Sequence, residues 1–416
     1  MSTKETYHHR HSSCGAELGA LAVDGRRTSA FEIRVLAGLA HEPEDKLGLA
    51  KLVEETIAKG TEDKTAQEFA DALDAIGAQG GSGVGRESVV FRCSCLPEYL
   101  EKALALHAEM LRTPTFPEEF CRVAVELARQ ELLALEDEPG ELSQRLLSPR
   151  AYGPVLGRHE LGTAESLERI TREDIVAYWR RYFGAPRVQI ALAGVVDVER
   201  ISAVVERLFA GFGDGRENGR APFAVQFSPG VGHQQKELEQ EHILMCWPGV
   251  KVTDDAFPVQ RLAVSILGEG MSSRLFTEVR EKQGLAYWVG AWSEHPRESG
   301  MIFMGAASRT ERCDQTMESM LREVKRLGED ITEEELERAK VGIIAKSETH
   351  GDITRARAGE LGGDLFHYGR PVPHEEKNEK IRRVTVADIR RYLDEHPPNR
   401  RCVQTLGPKA LSGTEG

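Results

Sequence analysis

The chain has 416 residues, 40% hydrophobic and 29% charged, with a formal net charge of −13. Single cores stop growing at about 250–300 residues, so two domains are expected. The acidic balance repels phosphate backbones and argues against a nucleic-acid partner, and no run of about 18 apolar residues offers a membrane-spanning helix, so no membrane partner is expected either.

Residues 1–17 (MSTKETYHHRHSSCGAE) are polar throughout and lack the apolar run of a secretory signal. His8, His9, His11 and Cys14 offer metal ligands there, but a mobile polar terminus is the expectation. The seven cysteines are Cys14, Cys93, Cys95, Cys121, Cys246, Cys313 and Cys402. Their odd number and apolar contexts fit reduced thiols in a cytoplasm better than a disulfide framework. Cys93 and Cys95 share one side of a strand but are too few ligands for a metal site.

Leu47–Lys59 (LGLAKLVEETIAK) reads as a helix with Leu49, Leu52, Val53 and Ile57 as its apolar stripe. Lys51, Glu54, Glu55 and Ala58 share a second face, and Gly60 is expected to stop the helix. On the residues alone, that face is a solvated set of ion pairs worth about 0.2–0.5 kcal/mol each. The run Gly77–Gly85 (GAQGGSGVG) reads as a hairpin loop or a permissive strand edge, and Ser88–Cys95 alternates as a strand. Tyr99–Leu111 has helical spacing, with His107 expected as a packed helix residue rather than a ligand.

The chain also echoes itself. A helical pattern opening at Phe116 leads to Tyr152-Gly153, and one opening at Ile331 leads to Tyr368-Gly369, 216 residues later. Ile170–Ile175 followed by Tyr178 matches Val384–Ile389 followed by Tyr392 at an offset of 214. Each copy runs into a strand, at Val188 and at Cys402. Duplication of a domain of about 200 residues accounts for this. The join is expected near the Gly-, Pro- and polar-rich segment GDGRENGRAP. That predicts a domain over 1–213, a linker over 214–235 and a second domain over 236–416. The fold class is α+β, each domain a mostly antiparallel sheet packed against helices.

In residues 268–287 (GEGMSSRLFTEVREKQGLAY), Ser272 or Ser273 can cap a helix that Gly284 ends, and a strand begins near Leu285. Arg280 then sits in the last helical turn and Tyr287 just inside the strand. Read plainly, Arg280 pairs with a neighbouring acid and Tyr287 is strand packing.

Several stretches resemble the pitrilysin/insulinase family of inverzincin metallopeptidases. There the first helix carries H-x-x-E-H before a Lys-Gly-Thr turn; here it reads Lys51-Leu52-Val53-Glu54-Glu55, then Lys59-Gly60-Thr61. The stretches at 65–77 and Gln130-Glu131-Leu132 are also similar, and SSRLF…RE…GLAY resembles the family's second signature. The resemblance runs from about residue 30 to 405. It places Lys51 and Glu55 at the two histidine-ligand positions, Glu54 at the general base and Glu131 at the glutamate ligand. A protonated lysine has no lone pair for a metal, and without zinc there is no activated water. No catalysis and no metal are therefore expected of this chain in isolation. A sharper reading lets Lys51 fill the metal position and neutralise Glu55 and Glu131 together.

The resemblance further implies that Arg280 and Tyr287 hold the substrate backbone, and that the Gly-rich edge accepts extended peptide. Its two-domain size resembles the processing-peptidase branch, in which each chain forms half of a clamshell around a closed chamber. The implied function is the non-catalytic, substrate-binding subunit of a cytoplasmic, heterodimeric zinc metallopeptidase acting on peptides or unfolded segments. No cofactor is expected on this chain, and zinc is expected in a homologous H-x-x-E-H partner. The alternative is a structural or scaffolding subunit with no role in proteolysis.

Overall fold

The computed structural model describes residues 5–213 and 221–412, so most of the glycine-rich join expected between the domains lies outside the described residues. The first half contributes strands β1 (Glu5–His11), β2 (Glu17–Val23), β3 (Ser29–Val35), β4 (Gln79–Val84), β5 (Val89–Cys95) and β6 (Val188–Gly194). Its helices are α1 (Leu49–Thr56), α2 (Ala66–Asp74), α3 (Leu100–Arg112), α4 (Glu118–Ala134), α5 (Pro139–Leu156), α6 (Ala164–Arg169), α7 (Arg172–Tyr182) and α8 (Val198–Phe209). The second half contributes strands β7 (Gly230–Gln235), β8 (Gln240–Gly249), β9 (Ala286–Glu294), β10 (Gly300–Arg309) and β11 (Cys402–Gly407). Its helices are α9 (Phe257–Gly268), α10 (Cys313–Asp330), α11 (Glu333–Gly351), α12 (Thr354–Tyr368), α13 (His374–Arg383) and α14 (Val386–Glu395).

The first sheet has the order β1-β2-β6-β3-β5-β4 and the second β7-β11-β8-β10-β9. In each, one neighbouring pair is parallel, β2 with β6 and β11 with β7, and the others are antiparallel. Without β1, the two orders correspond strand for strand, as the internal repeat requires. The repeat also shows in local chemistry. Thr171 and Asp174 form a capping box at the start of α7, and Thr385 and Asp388 form one at the start of α14. Downstream, the Tyr178 hydroxyl donates to the carbonyls of Ala37 and Gly38, both at 3.0 Å, while Tyr392 donates to Gln260 Oε1 at 2.7 Å.

Alternation along the strands feeds two faces of the first sheet. Leu18, Phe31 and Ile33 join a core with Leu52 and Val53 of α1 and Leu104 of α3. Leu21, Val23, Ala30 and Ala193 point the other way and pack with Ala358, Leu361 and Leu365 of α12. With both faces covered, β6 (VQIALAG) is buried along its whole length and reads as an apolar run rather than an alternating one. In the second sheet α5 packs on β8 and β11.

This exchange of helices sets the compact units. One comprises Met1–Leu133, Arg158–Pro222 and Glu348–Pro373; the other comprises Ala134–Gly157, Phe223–Ser347 and His374–Gly416. They differ from the contiguous division at 1–213 and 236–416, because α12 covers the first sheet and α5 the second.

Three local expectations are corrected. The terminus expected to be mobile forms β1, paired with β2 over Glu5–His11. The stretch expected as linker up to residue 235 contains β7, which pairs with β11. The first helix ends at Thr56, earlier than Gly60. Gly60 instead sits at φ 141°, where an added Cβ would stand 2.8 Å from Thr115 Oγ1. No helix among the described residues is long and apolar enough to cross a membrane.

Candidate functional site

Helix α1 starts without a capping side chain of its own at Gly48, whose φ is 103°. The Glu42 side chain supplies the cap from outside, its Oε1 accepting the Ala50 N–H at 2.8 Å. Burial raises the Glu42 pKa, opposed by the Ala50 and Gly48 N–H groups and by Arg158, and leaves it at about 8.

With Leu49, Leu52 and Val53 buried, α1 presents Lys51, Glu54 and Glu55 together. The Lys51 ammonium lies 3.0 Å from Glu54 Oε2 and 2.6 Å from Glu55 Oε1. Burial lowers the Lys51 pKa, but hydrogen bonds to Glu55 and Glu54 outweigh it and hold the ammonium charged above its ordinary range. The face is mutually paired as expected from the residues alone, but it is solvated at Glu55, 46% exposed, and buried at Glu54, 7% exposed. Its other oxygen accepts from the Ser82 hydroxyl on β4. The sequence reading missed Ser82; its signal was a lone hydroxyl in a glycine-rich run.

Glu131 lies on α4 and lines the same cleft, of about 260 Å³, with Lys51, Glu55, Phe120, Val123 and Leu127. Among the described residues no ion pair joins Lys51 to Glu131. Lys51 therefore neutralises Glu54 and Glu55, not Glu55 and Glu131, because helix neighbours at i+3 and i+4 are its nearest acids. This donor set does not fit zinc. One ligand position holds a protonated amine, which has no lone pair and repels a cation. His107, on α3, is buried with Nδ1 2.9 Å from the Ala103 carbonyl, as a packed residue.

In the other unit, Phe276–Lys282 forms a π-helical stretch, and the Leu285 N–H reaches back to the Val279 carbonyl at 3.0 Å. The wide turn ends at Gly284, with φ 57°, and leads into β9. The Arg280 guanidinium carbon lies 5.0 Å from the Phe276 ring centroid and 5.4 Å from that of Tyr287. Tyr287 is 75% exposed, so it is not strand packing. Among the described residues no carboxylate lies within 4.0 Å of the Arg280 nitrogens. The neighbouring Arg274 of the same motif differs: it is buried, with Nε and Nη2 each 2.8 Å from Glu335 and Nη1 2.5 Å from Asp330. Arg274 thus anchors the motif, and Arg280 with Tyr287 sets a guanidinium beside an exposed phenol, two hydrogen-bond donors at one corner.

Two sheet-and-helix units, one carrying an altered H-x-x-E-H helix and the other an Arg–Tyr corner, define a protein of peptidase-like architecture. The description "Insulinase (Peptidase family M16)" matches residues 20–164, and "Peptidase M16 inactive domain" matches residues 169–342. The chain belongs to this M16, or insulinase, family. It is 28% identical over 387 residues to an "Uncharacterized zinc protease" of Rickettsia bellii, covering 92% of this chain and 93% of that one. It is 28% identical over 370 residues to the "Uncharacterized zinc protease YmxG" of Bacillus subtilis, covering 88% of each. Among solved structures, a peptidase M16 inactive domain from Pseudomonas fluorescens is similar at TM-score 0.87 and 22% identity, over 98% of both chains. A protease from Helicobacter pylori is similar at TM-score 0.88 and 15% identity, over 97% of this chain and 100% of that one. At those identities the likeness to solved structures shows the fold.

Proposed function

We propose that this chain is the non-catalytic, substrate-binding subunit of a heterodimeric zinc metallopeptidase acting on peptides or unfolded segments. The observation that carries this reading is the Lys51 ammonium, held 2.6 and 3.0 Å from two carboxylates at positions where the family pattern has its metal-binding helix. No zinc is held at Lys51, Glu55 and Glu131, so Glu54 has no activated water to deprotonate. A homologous H-x-x-E-H partner supplies the metal, the water and the general base. Arg280 and Tyr287 bind the substrate backbone, a role favoured by the 75% exposure of Tyr287 and by the absence of an acid at Arg280 among the described residues. Extended peptide adds to β4, an edge of the first sheet, where side chains added at Gly81 and Gly83 would meet nothing within 4 Å. Seven free cysteines, six of them buried, favour a reducing, cytoplasmic setting.

The test is reconstitution with an H-x-x-E-H homologue encoded beside it. The chain alone should cleave no peptide, and the pair should. Combining Arg280→Ala with Tyr287→Phe in this chain should slow the pair. Unchanged turnover would favour the scaffolding reading, and hydrolysis by the chain alone would overturn the proposal.

A further inference from the structure

Away from the altered helix, β1 and β2 bring together two imidazoles and a carboxylate. His9 and His11 are two apart on β1 and therefore project from one face. The antiparallel register sets His11 opposite Glu17 and His9 opposite Gly19, so no side chain intervenes between the imidazoles and the carboxylate. The ligand atoms of His9, His11 and Glu17 all lie within 4.8 Å of one another. His9 Nε2 is already 2.9 Å from Glu17 Oε1, and the two imidazole rings are 5.0 Å apart.

The carboxylate is built in rather than incidental. Glu17 is 1% exposed, and its second oxygen accepts from Gln189 Nε2 at 3.0 Å. Gln189 is buried too, and the same nitrogen also donates to the Leu365 carbonyl of α12 at 3.0 Å. A fixed carboxylate oxygen, oriented by a buried amide tied to a helix end, is the outer-shell support that metal ligands need. His9 and His11 are more exposed and free to adjust. Ligands at about 2.1 Å in a tetrahedral site stand about 3.4 Å apart, so small rotamer changes close the set.

We propose that His9, His11 and Glu17 bind one borderline divalent transition-metal ion of the Zn²⁺ class. Two nitrogens and one carboxylate oxygen match that class and not Ca²⁺ or Mg²⁺, which take oxygen ligands. The ion ties the edge strand β1 to the buried rim of the first sheet and leaves a fourth position for water or a partner's side chain. The expectation of a metal-free chain then holds only for the altered α1 helix.

The test uses the full chain, freed of metal by chelation, with Zn²⁺ titrated calorimetrically and Co²⁺ followed by its visible absorption. One equivalent should bind, and the thermal midpoint should rise with Zn²⁺. His9→Ala and His11→Ala should each weaken binding about 100-fold or more, and Gln189→Leu about 10- to 100-fold. The histidine variants are at a partly exposed edge strand, and an unchanged metal-free thermal midpoint would show that they fold. Glu131→Gln should leave binding intact. The proposal fails if no stoichiometric binding occurs or if the histidine variants bind equally well. It also fails if Glu131→Gln alone abolishes binding, a result that would place the ion at the α1 helix and count against the proposed function as well.

Discussion

The Arg280 guanidinium lies over the ring of Tyr287, 5.4 Å from its centroid, with the phenol 75% exposed and no carboxylate paired to the arginine among the described residues. An arginine that stacks on a solvent-facing tyrosine without an ion-pair partner gives little to fold stability. Its donors remain available to a ligand.

Tyr287→Phe should therefore change the folding free energy by no more than about 0.5 kcal/mol, and Arg280→Ala, which loses stacking on Phe276 and Tyr287, by about 1 kcal/mol. In the reconstituted pair each should lower kcat/KM, by up to about 10²–10³-fold if it donates to the developing oxyanion. Urea denaturation and peptide-cleavage kinetics on the same preparations check both halves. A large stability loss would mark the pair as structural.

At the altered helix the balance reverses. Lys51→Met would strand the Glu54 carboxylate, 7% exposed, with the Ser82 hydroxyl but without its cation. The cost should be about 1–3 kcal/mol, more than a helix surface pair is worth. Adding Glu54→Gln should recover much of it, because the stranded charge and not the lost lysine is the penalty. If the single and double variants unfold at the same urea concentration, Lys51 is not offsetting a buried charge.

The helix carrying Lys51 and the strand after Gly284 could be read from helix period and the glycine at 284, which are local signals, and the duplication from landmarks repeated at nearly one offset. The exchange of α5 and α12 could not. An amphipathic helix encodes that it has an apolar face, not which sheet receives it. Strand β1 was hidden for a different reason. HHRH on an edge strand has no buried face to alternate against, so its residues looked like a free terminus. The partner of Lys51 was half legible: spacing named Glu54 and Glu55, and only the packing of β4 against α1 revealed that Glu54 is buried.

Arg274 separates anchoring from binding within one motif. Its side chain is 9% exposed and its two carboxylate partners reach it from Asp330 and Glu335, beside the start of α11. Arg274→Ala should cost about 1–3 kcal/mol, because the carboxylates it leaves are partly exposed, Asp330 at 46% and Glu335 at 18%, and Asp330 keeps Arg326 at 3.1 Å. Arg274→Lys should fall in between, since one ammonium cannot make the two parallel bonds to Glu335. Thermal unfolding of the three proteins checks the order, and equal midpoints for alanine and arginine would contradict it.

Glu42 should give the fold a measurable pH dependence. Its carboxyl is raised from an ordinary value of 4.5 to about 8, with burial the largest cause. Below 4.5 the folded and unfolded chains both hold the proton, and Glu42 contributes no slope. Between 4.5 and about 8 the unfolded chain has released the proton while the folded chain keeps it, so stability falls as pH rises. The slope from this one group is at most about 1.4 kcal/mol per pH unit. Above that window both forms are ionised and the loss stays constant. Glu42→Gln keeps an acceptor for the Ala50 N–H and removes the titration. The stability difference between wild type and Glu42→Gln should thus move against wild type from pH 5 to pH 8 and level off beyond. Urea unfolding of both proteins across that range measures it, and parallel pH profiles would show that Glu42 is ionised in the fold at neutral pH.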